Sequence, residues 1–156
     1  MMLNVSTCYA MQIVFYLARS KKIVPSSELS KYLLISQRRT LQITGTLRDA
    51  GLIVTHTGMT GGYSLNKDPS SISAYTVISL MEGDMRIPDC LVHVPDCSEP
   101  CKNSNLFDTM NPMKEYIDSY LKTITFDKLA AMEINGKLTE ILALVEIHIA
   151  EMKQKS

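Results

Sequence analysis

A mainly α fold carrying one small β-hairpin is predicted by three observations. Apolar residues recur at the three-and-four spacing of a helical face along most of the 156 residues. That period breaks at the β-branched run Leu52-Ile53-Val54-Thr55 and the glycine-bearing stretch behind it. Capping residues and helix stops stand between the periodic segments. Hydrophobic residues make up 46% and charged residues 21%, values that argue against a chain disordered throughout. No apolar run approaches the roughly 20 residues that span a bilayer. The N-terminus lacks the ordered basic, apolar and cleavage regions of an export signal.

The elements follow in order. From Thr7 to Arg19, the residues Ala10, Ile13, Val14, Leu17 and Ala18 fall on one face of a first helix. Pro25, Ser26 and Ser27 supply a stop and a cap, so Glu28 to Leu33 reads as a short second helix. Leu34 and Ile35 fill a tight turn and Ser36 caps a third helix, Gln37 to Ala50. Its buried positions are expected at Leu41, Leu47 and Ala50, with Ile43 on or near the same face, and Gly51 is the stop. Leu52 to Thr55 and Tyr63 to Leu65 then pair across the turn-rich stretch Thr57 to Gly62. Three short helices and a hairpin, with the second and third helices joined by a few residues, describe a winged helix-turn-helix.

Beyond Asp68-Pro69, Ser73 caps a helix from Ala74 to Glu82 that Gly83 ends. Residues 84–104 contain Pro88, Pro95 and Pro100, which exclude a regular helix and predict a loop. Asn111 and Pro112 read as a helix start, followed by Met113, Tyr116, Ile117, Tyr120, Leu121 and Ile124 on one face. Thr125 caps a short helix to Ile134, and a last helix runs from Lys137 to about Lys153. The chain thus divides into residues 1–83, a cysteine-bearing loop at 84–104, and C-terminal helices at 105–156.

A formal net charge of zero conceals a division. Residues 1–67 carry eight basic and two acidic side chains, a surplus of +6, and residues 68–156 carry eight basic and fourteen acidic, a deficit of −6. Such asymmetry suits a first half that meets a polyanion, against the competing reading of chance clustering on solvated faces. A recognition helix needs polar donors near its N-terminus, opposite its core stripe. The third helix offers Gln37, Arg38, Arg39, Thr40 and Gln42, and Ser36 at its start suits a phosphate. Arginine grips guanine, and glutamine adenine, through two bonds; the alternative is that Arg38 and Arg39 merely solvate the helix. The tip Gly58-Met59-Thr60-Gly61-Gly62 lacks the lysine and the following helix of a phosphate-binding loop. Its small residues, Thr60 and Gly61 among them, suit either entry into a minor groove or simply a tight turn.

These motifs, taken together, carry a resemblance. Ile35-Ser36, Leu47-Arg48-Asp49-Ala50-Gly51-Leu52, Gly61-Gly62-Tyr63-Ser64-Leu65, Asp68-Pro69-Ser70-Ser71-Ile72 and Val77-Ile78-Ser79-Leu80-Met81-Glu82-Gly83 resemble the Rrf-type winged-helix transcription regulators, the family of IscR, NsrR, RirA and CymR. The resemblance runs from the N-terminus to roughly Leu129. It implies a cytoplasmic homodimer that binds double-stranded operator DNA, without membrane association. It also implies that the helix from about Pro112 to Ile124 forms the dimer interface, so that the fold is a winged helix-turn-helix domain plus dimerisation helices.

Cys8, Cys90, Cys97 and Cys101 complete the inventory. Nothing marks secretion, so three cysteines within twelve residues read as a metal or redox site before a disulfide pair. Thiolates suit soft metals and iron–sulfur clusters, of 2Fe-2S or 4Fe-4S type; zinc usually asks for a tighter pair. The resemblance implies a cluster on Cys90, Cys97 and Cys101, although their spacing departs from the family pattern. It implies a fourth ligand from the start of the first helix of the partner subunit, where Cys8 lies. His93 or an exogenous group is the substitute, and a buried, structural Cys8 is the competing reading. His56 and His148 read as structural or exposed.

Two further readings stay open beside a cluster-controlled regulator of DNA. In one, the cysteines of the same fold act as thiols, bind zinc, or yield to a small-ligand site. In the other, the chain is a metal-binding interaction module with no DNA role. No catalytic constellation stands out, so an enzyme is not expected.

Overall fold

Asn4 sits in extended backbone, and its side chain accepts the Ser6 N–H at 2.9 Å, the cap that starts helix α1 (Val5–Ser20). The computed structural model describes residues 3–58, 60–83 and 106–132. The cysteine loop, with Cys90, His93, Cys97 and Cys101, and the last helix with His148 lie outside the described residues. All five apolar positions expected on the first helix are buried. Lys21 ends α1 in the left-handed region at φ 52° and donates its N–H to the Leu17 carbonyl.

Helix α2 (Ser26–Leu33) buries Leu29 and Leu33. Leu34 leaves it at φ 54° with its side chain 91% exposed, and the Ile35 N–H bonds back to the Ser30 carbonyl at 3.2 Å. This tight turn delivers the chain to helix α3 (Gln37–Asp49). Its stripe is Thr40, Ile43, Thr44 and Leu47, so Leu47 and Ile43 are buried as expected, and Thr40 and Thr44 stand where Leu41 and Ala50 were expected. Leu41 is 47% exposed and Ala50 is exposed. Threonine can occupy a buried helical position because its hydroxyl bonds a carbonyl one turn back, leaving only the methyl group to pack. Thr40 bonds the Ser36 carbonyl at 3.2 Å, and Thr44 bonds the Thr40 carbonyl at 3.0 Å.

Strands β1 (Ile53–His56) and β2 (Gly62–Leu65) pair antiparallel, with Ile53 opposite Leu65 and His56 opposite Gly62. Val24 docks on the outer edge of β2 through two backbone bonds to Tyr63, at 2.9 and 2.8 Å. Two glycines permit this geometry. A Cβ on Gly62 would stand 2.4 Å from the Val24 carbonyl oxygen, and one on Gly61 would stand 2.6 Å from that of His56. His56 is half-buried and bonds the Ser64 hydroxyl at 2.9 Å, a structural role.

Helix α4 (Ala74–Glu82) starts on Ser73, whose hydroxyl accepts the Thr76 N–H at 3.2 Å, and ends at Gly83 as expected. Helix α5 (Leu106–Thr123) begins earlier than the sequence suggests, with Pro112 inside it and not at its first position. An interior proline forfeits its own donor and crowds a carbonyl, which costs about 3 kcal/mol. Proline is therefore a frequent helix start but not an obligatory one. The Lys122 ammonium lies 4.6 Å from the centre of the Tyr75 ring, joining α5 to α4.

After α5 the chain returns to the winged unit. The Ala74 N–H bonds the Ile124 carbonyl at 2.8 Å, and the Phe126 N–H bonds the Ile72 carbonyl at 3.0 Å. Helix α6 (Phe126–Ala131) follows, stopping at Met132. Phe126 is fully buried in the core formed by Ala10, Ile13, Val14, Leu29, Leu47 and Ile72. The winged unit is thus completed by a residue more than forty positions beyond Gly83.

Candidate nucleic-acid interface

The start of α3 is fixed from three sides. The Ser36 hydroxyl accepts the Arg39 N–H at 3.3 Å. Gln37 donates from Nε2 to the Ser26 hydroxyl at 3.2 Å, tying the helix to α2. Arg39 donates from Nη2 to the Ser6 hydroxyl at 3.4 Å, and its guanidinium lies 5.4 Å over the Tyr9 ring. An arginine lying across an aromatic face keeps its charge and gains about 0.5–1 kcal/mol at an exposed site. Arg38 and Gln42 are exposed beside it, and Arg38 makes no ion pair among the described residues.

A concavity of about 480 Å³ opens here. Ser36, Arg38, Arg39 and Gln42 line one side; Ser6 of α1 and Met81 of α4 line the other. Five of the six polar residues expected at this site are on the surface: Ser36, Gln37, Arg38, Arg39 and Gln42. The sixth is corrected. Thr40 is fully buried and its hydroxyl is occupied by the Ser36 carbonyl, so it supports the helix from behind and cannot touch a ligand. At the wing tip Thr60 is exposed and Gly61 half-buried, and the crowding around Gly61 gives that glycine a structural purpose of its own.

The charge surplus acquires an address. The two acids of residues 1–67 are each taken by a neighbouring base: Glu28 lies 3.5 Å from Lys22, and Asp49 lies 2.8 Å from Arg48. Arg19, Lys21, Lys31, Arg38, Arg39 and Lys67 supply the remaining positive charge. Two of these six stand side by side at the N-terminal turn of α3, where backbone amides without helical acceptors also favour an anion.

Sequence reasoning missed Ser6, Tyr9 and Glu82. Glu82 accepts the Asn4 N–H at 2.7 Å and the Thr7 hydroxyl with the same oxygen. These bonds, the Thr7 hydroxyl foremost, hold its carboxyl below the ordinary range. Tyr9 and Glu82 carry no periodic signal, because each meets its partner only after α1, α3 and α4 have packed.

Cys8 is exposed in the first turns of α1, which corrects the reading of a buried structural thiol. Among the described residues no three His, Cys, Asp or Glu side chains cluster tightly enough to hold a metal ion. No helix among them is long and apolar enough to cross a membrane.

The family model described as Rrf2, iron-dependent transcriptional regulator, matches residues 3–132. The HTH-type transcriptional regulator CymR of Bacillus subtilis is 30% identical over 113 residues, covering 71% of this chain and 79% of its own. The solved structure of CymR, the global cysteine regulator of B. subtilis, matches with a TM-score of 0.66 at 24% identity, covering 84% of this chain and 97% of that one. The structure of T. potens IscR matches with a TM-score of 0.65 at 23% identity, covering 85% and 93%. These structures share the expected winged fold.

Proposed function

The chain belongs to the Rrf2 family of transcriptional regulators, and from that premise we propose that α3 reads the major groove of an operator as one half of a cytoplasmic homodimer. It is a regulator and not an enzyme. One observation carries the reading assigned to α3. Its exposed first turns present Arg38, Arg39 and Gln42 together, and the opposite face is buried to the last side chain. Arg38 and Gln42 are the base readers, since each can form two bonds to one base edge. Ser36 and Gln37, beside the free amides of the helix start, take phosphate. Arg39, committed to Tyr9 and Ser6, reaches either. Thr60 and Gly61 bring the wing to the neighbouring groove. The dimer seam is the apolar face of α5.

Control of that binding falls to an iron–sulfur cluster. The donor set fits such a group: Cys90, Cys97 and Cys101 supply three thiolates within twelve residues, and Cys8 offers an exposed fourth from the partner subunit. When bound, a cluster supplies a centre that oxidants, iron shortage or nitric oxide alter. The exposed thiol of Cys8 sits one residue from Tyr9, which carries Arg39. A second reading keeps the fold and uses the cysteines as thiols, favoured by the likeness to CymR, of which an oxidized form from Staphylococcus aureus is among the similar solved structures.

Two measurements test the proposal. Duplexes selected from a randomised pool should be retained by the wild-type chain and lost on Arg38→Ala; a wild type that retains none overturns DNA binding. Protein purified without oxygen should show visible absorption with iron and sulfide in comparable amounts. Colourless, iron-free protein from that preparation would replace the cluster by the thiol reading.

A further inference from the structure

The first turns of α1 touch two things that no sequence signal connects. On one side lies Glu82, the last residue of α4 and the last before Gly83 leads into the cysteine-bearing segment. One carboxylate oxygen accepts both the Asn4 N–H and the buried Thr7 hydroxyl. On the other side lies Arg39 of α3, bonded to Ser6 and spread over Tyr9. Of four successive residues, Ser6 and Tyr9 meet Arg39, Thr7 meets Glu82, and Cys8 is exposed.

A glutamate at the end of its own helix faces that helix's negative pole, so its placement there gains nothing locally. Beside the amides that open α1 it meets the favourable pole of a different helix. Its carboxylate then acts as a cap supplied from 78 positions away. The α1 start is thereby held at both its backbone and its Thr7 side chain. Arg39 rests on the same turn, so a shift of that turn must move the guanidinium.

We propose that Glu82 is a positioning residue for operator recognition, setting the pose of Arg39 through the Asn4–Tyr9 turn. The inference rests on the reading of α3 as the DNA-contacting helix and adds a residue outside that helix that sets the pose of its Arg39. Glu82 touches no base and no phosphate. Its effect on DNA is exerted entirely through Arg39, and that makes the proposal separable from a general loss of stability.

The test uses the full chain and a duplex selected by the wild type from a randomised pool, followed by fluorescence anisotropy. Glu82→Ala should weaken binding by about fivefold, the scale typical of residues that modulate coupling without touching a ligand. Glu82→Gln, which keeps an acceptor oxygen, should recover most of that loss. In an Arg39→Ala background the Glu82→Ala change should add almost nothing, because the route then ends nowhere. Tyr9→Phe, which preserves the ring face, should bind nearly as the wild type does, and Tyr9→Leu should match Glu82→Ala. Without DNA, the Arg39 side-chain Nε–H resonance should move in Glu82→Ala as the guanidinium leaves the Tyr9 ring. Equal losses from Glu82→Ala with and without Arg39 would overturn the route and leave a structural role. So would an unmoved Arg39 resonance in a folded variant. A wild type that binds no duplex overturns the DNA reading itself, an outcome distinct from either.

Discussion

Helices α3 and α5 are both amphipathic, yet their packing is finished in different ways. The four inward residues of α3 are buried to 3% exposure or less, and what faces outward is polar and basic apart from Leu41. In α5, Met113 remains 55% exposed and Ile117, Tyr120 and Leu121 are half-buried, with the buried Asp118 paired to Lys114 at 2.6 Å. The first helix has met most of its apolar demand within the chain and offers charge. The second still offers apolar surface, the kind of face that another protein surface covers. On the proposed reading, one face meets a polyanion and the other a second copy of the chain.

The strongest way to break that contrast is at Phe126, the buried side chain that returns the chain from α5 to the winged core. Phe126→Ala should cost about 3–5 kcal/mol of folding stability, since it removes a large core ring and leaves a cavity. Chemical denaturation measures it. A loss below about 1 kcal/mol would mean that α6 is only loosely held.

Next in size is the α5 face. Met113→Glu places a charge on an exposed position, so the monomer fold should survive while self-association weakens by about tenfold or more. Sedimentation at several concentrations reads this directly, and an unchanged distribution would move the seam elsewhere. On α3, Arg38→Ala should lower operator affinity by about 1–3 kcal/mol with no change in thermal stability. Equal weakening on selected and unrelated duplexes would reassign Arg38 from base to phosphate contact.

How far these features were legible depends on their range. Helix starts and stops are local, and Ser36, Gly51, Ser73 and Gly83 mark them in the residues themselves. The α3 stripe was misread because Thr40 and Thr44 look polar in a sequence and become core only when their hydroxyls bond back. That same fact removed Thr40 from the candidate site. The Pro112 start was misplaced because a locally favoured signal was overridden. Nothing local announces that Phe126 fills the winged core, or that Glu82 caps α1, since both are products of packing.

Smaller effects sharpen the picture. Leu34 holds a left-handed backbone at φ 54° with its side chain in solvent. Leu34→Gly should stabilise the fold by up to about 1 kcal/mol, since glycine adopts that region without steric cost. Acid stability gives the finest comparison. Asp68, Glu82 and Asp127 are all held below the ordinary carboxylate range, chiefly by side-chain hydrogen bonds from Ser70, Thr7 and Thr125 respectively. Their folded values lie under their unfolded ones, so their contribution is complete above the unfolded carboxylate range and fades as pH falls through the folded values. Melting temperature should therefore hold through neutral pH and decline in acid, and Glu82→Gln should flatten part of that decline.

The central claim is that the positive surplus around α3 exists to meet DNA phosphate. Equilibrium binding of the full chain to a selected duplex, followed as salt rises, addresses it without any variant. If about six phosphates are neutralised, affinity should drop by roughly a thousandfold between about 50 and 200 mM salt. An affinity that changes by less than about threefold over that range would contradict the claim, because phosphate contacts must release counterions.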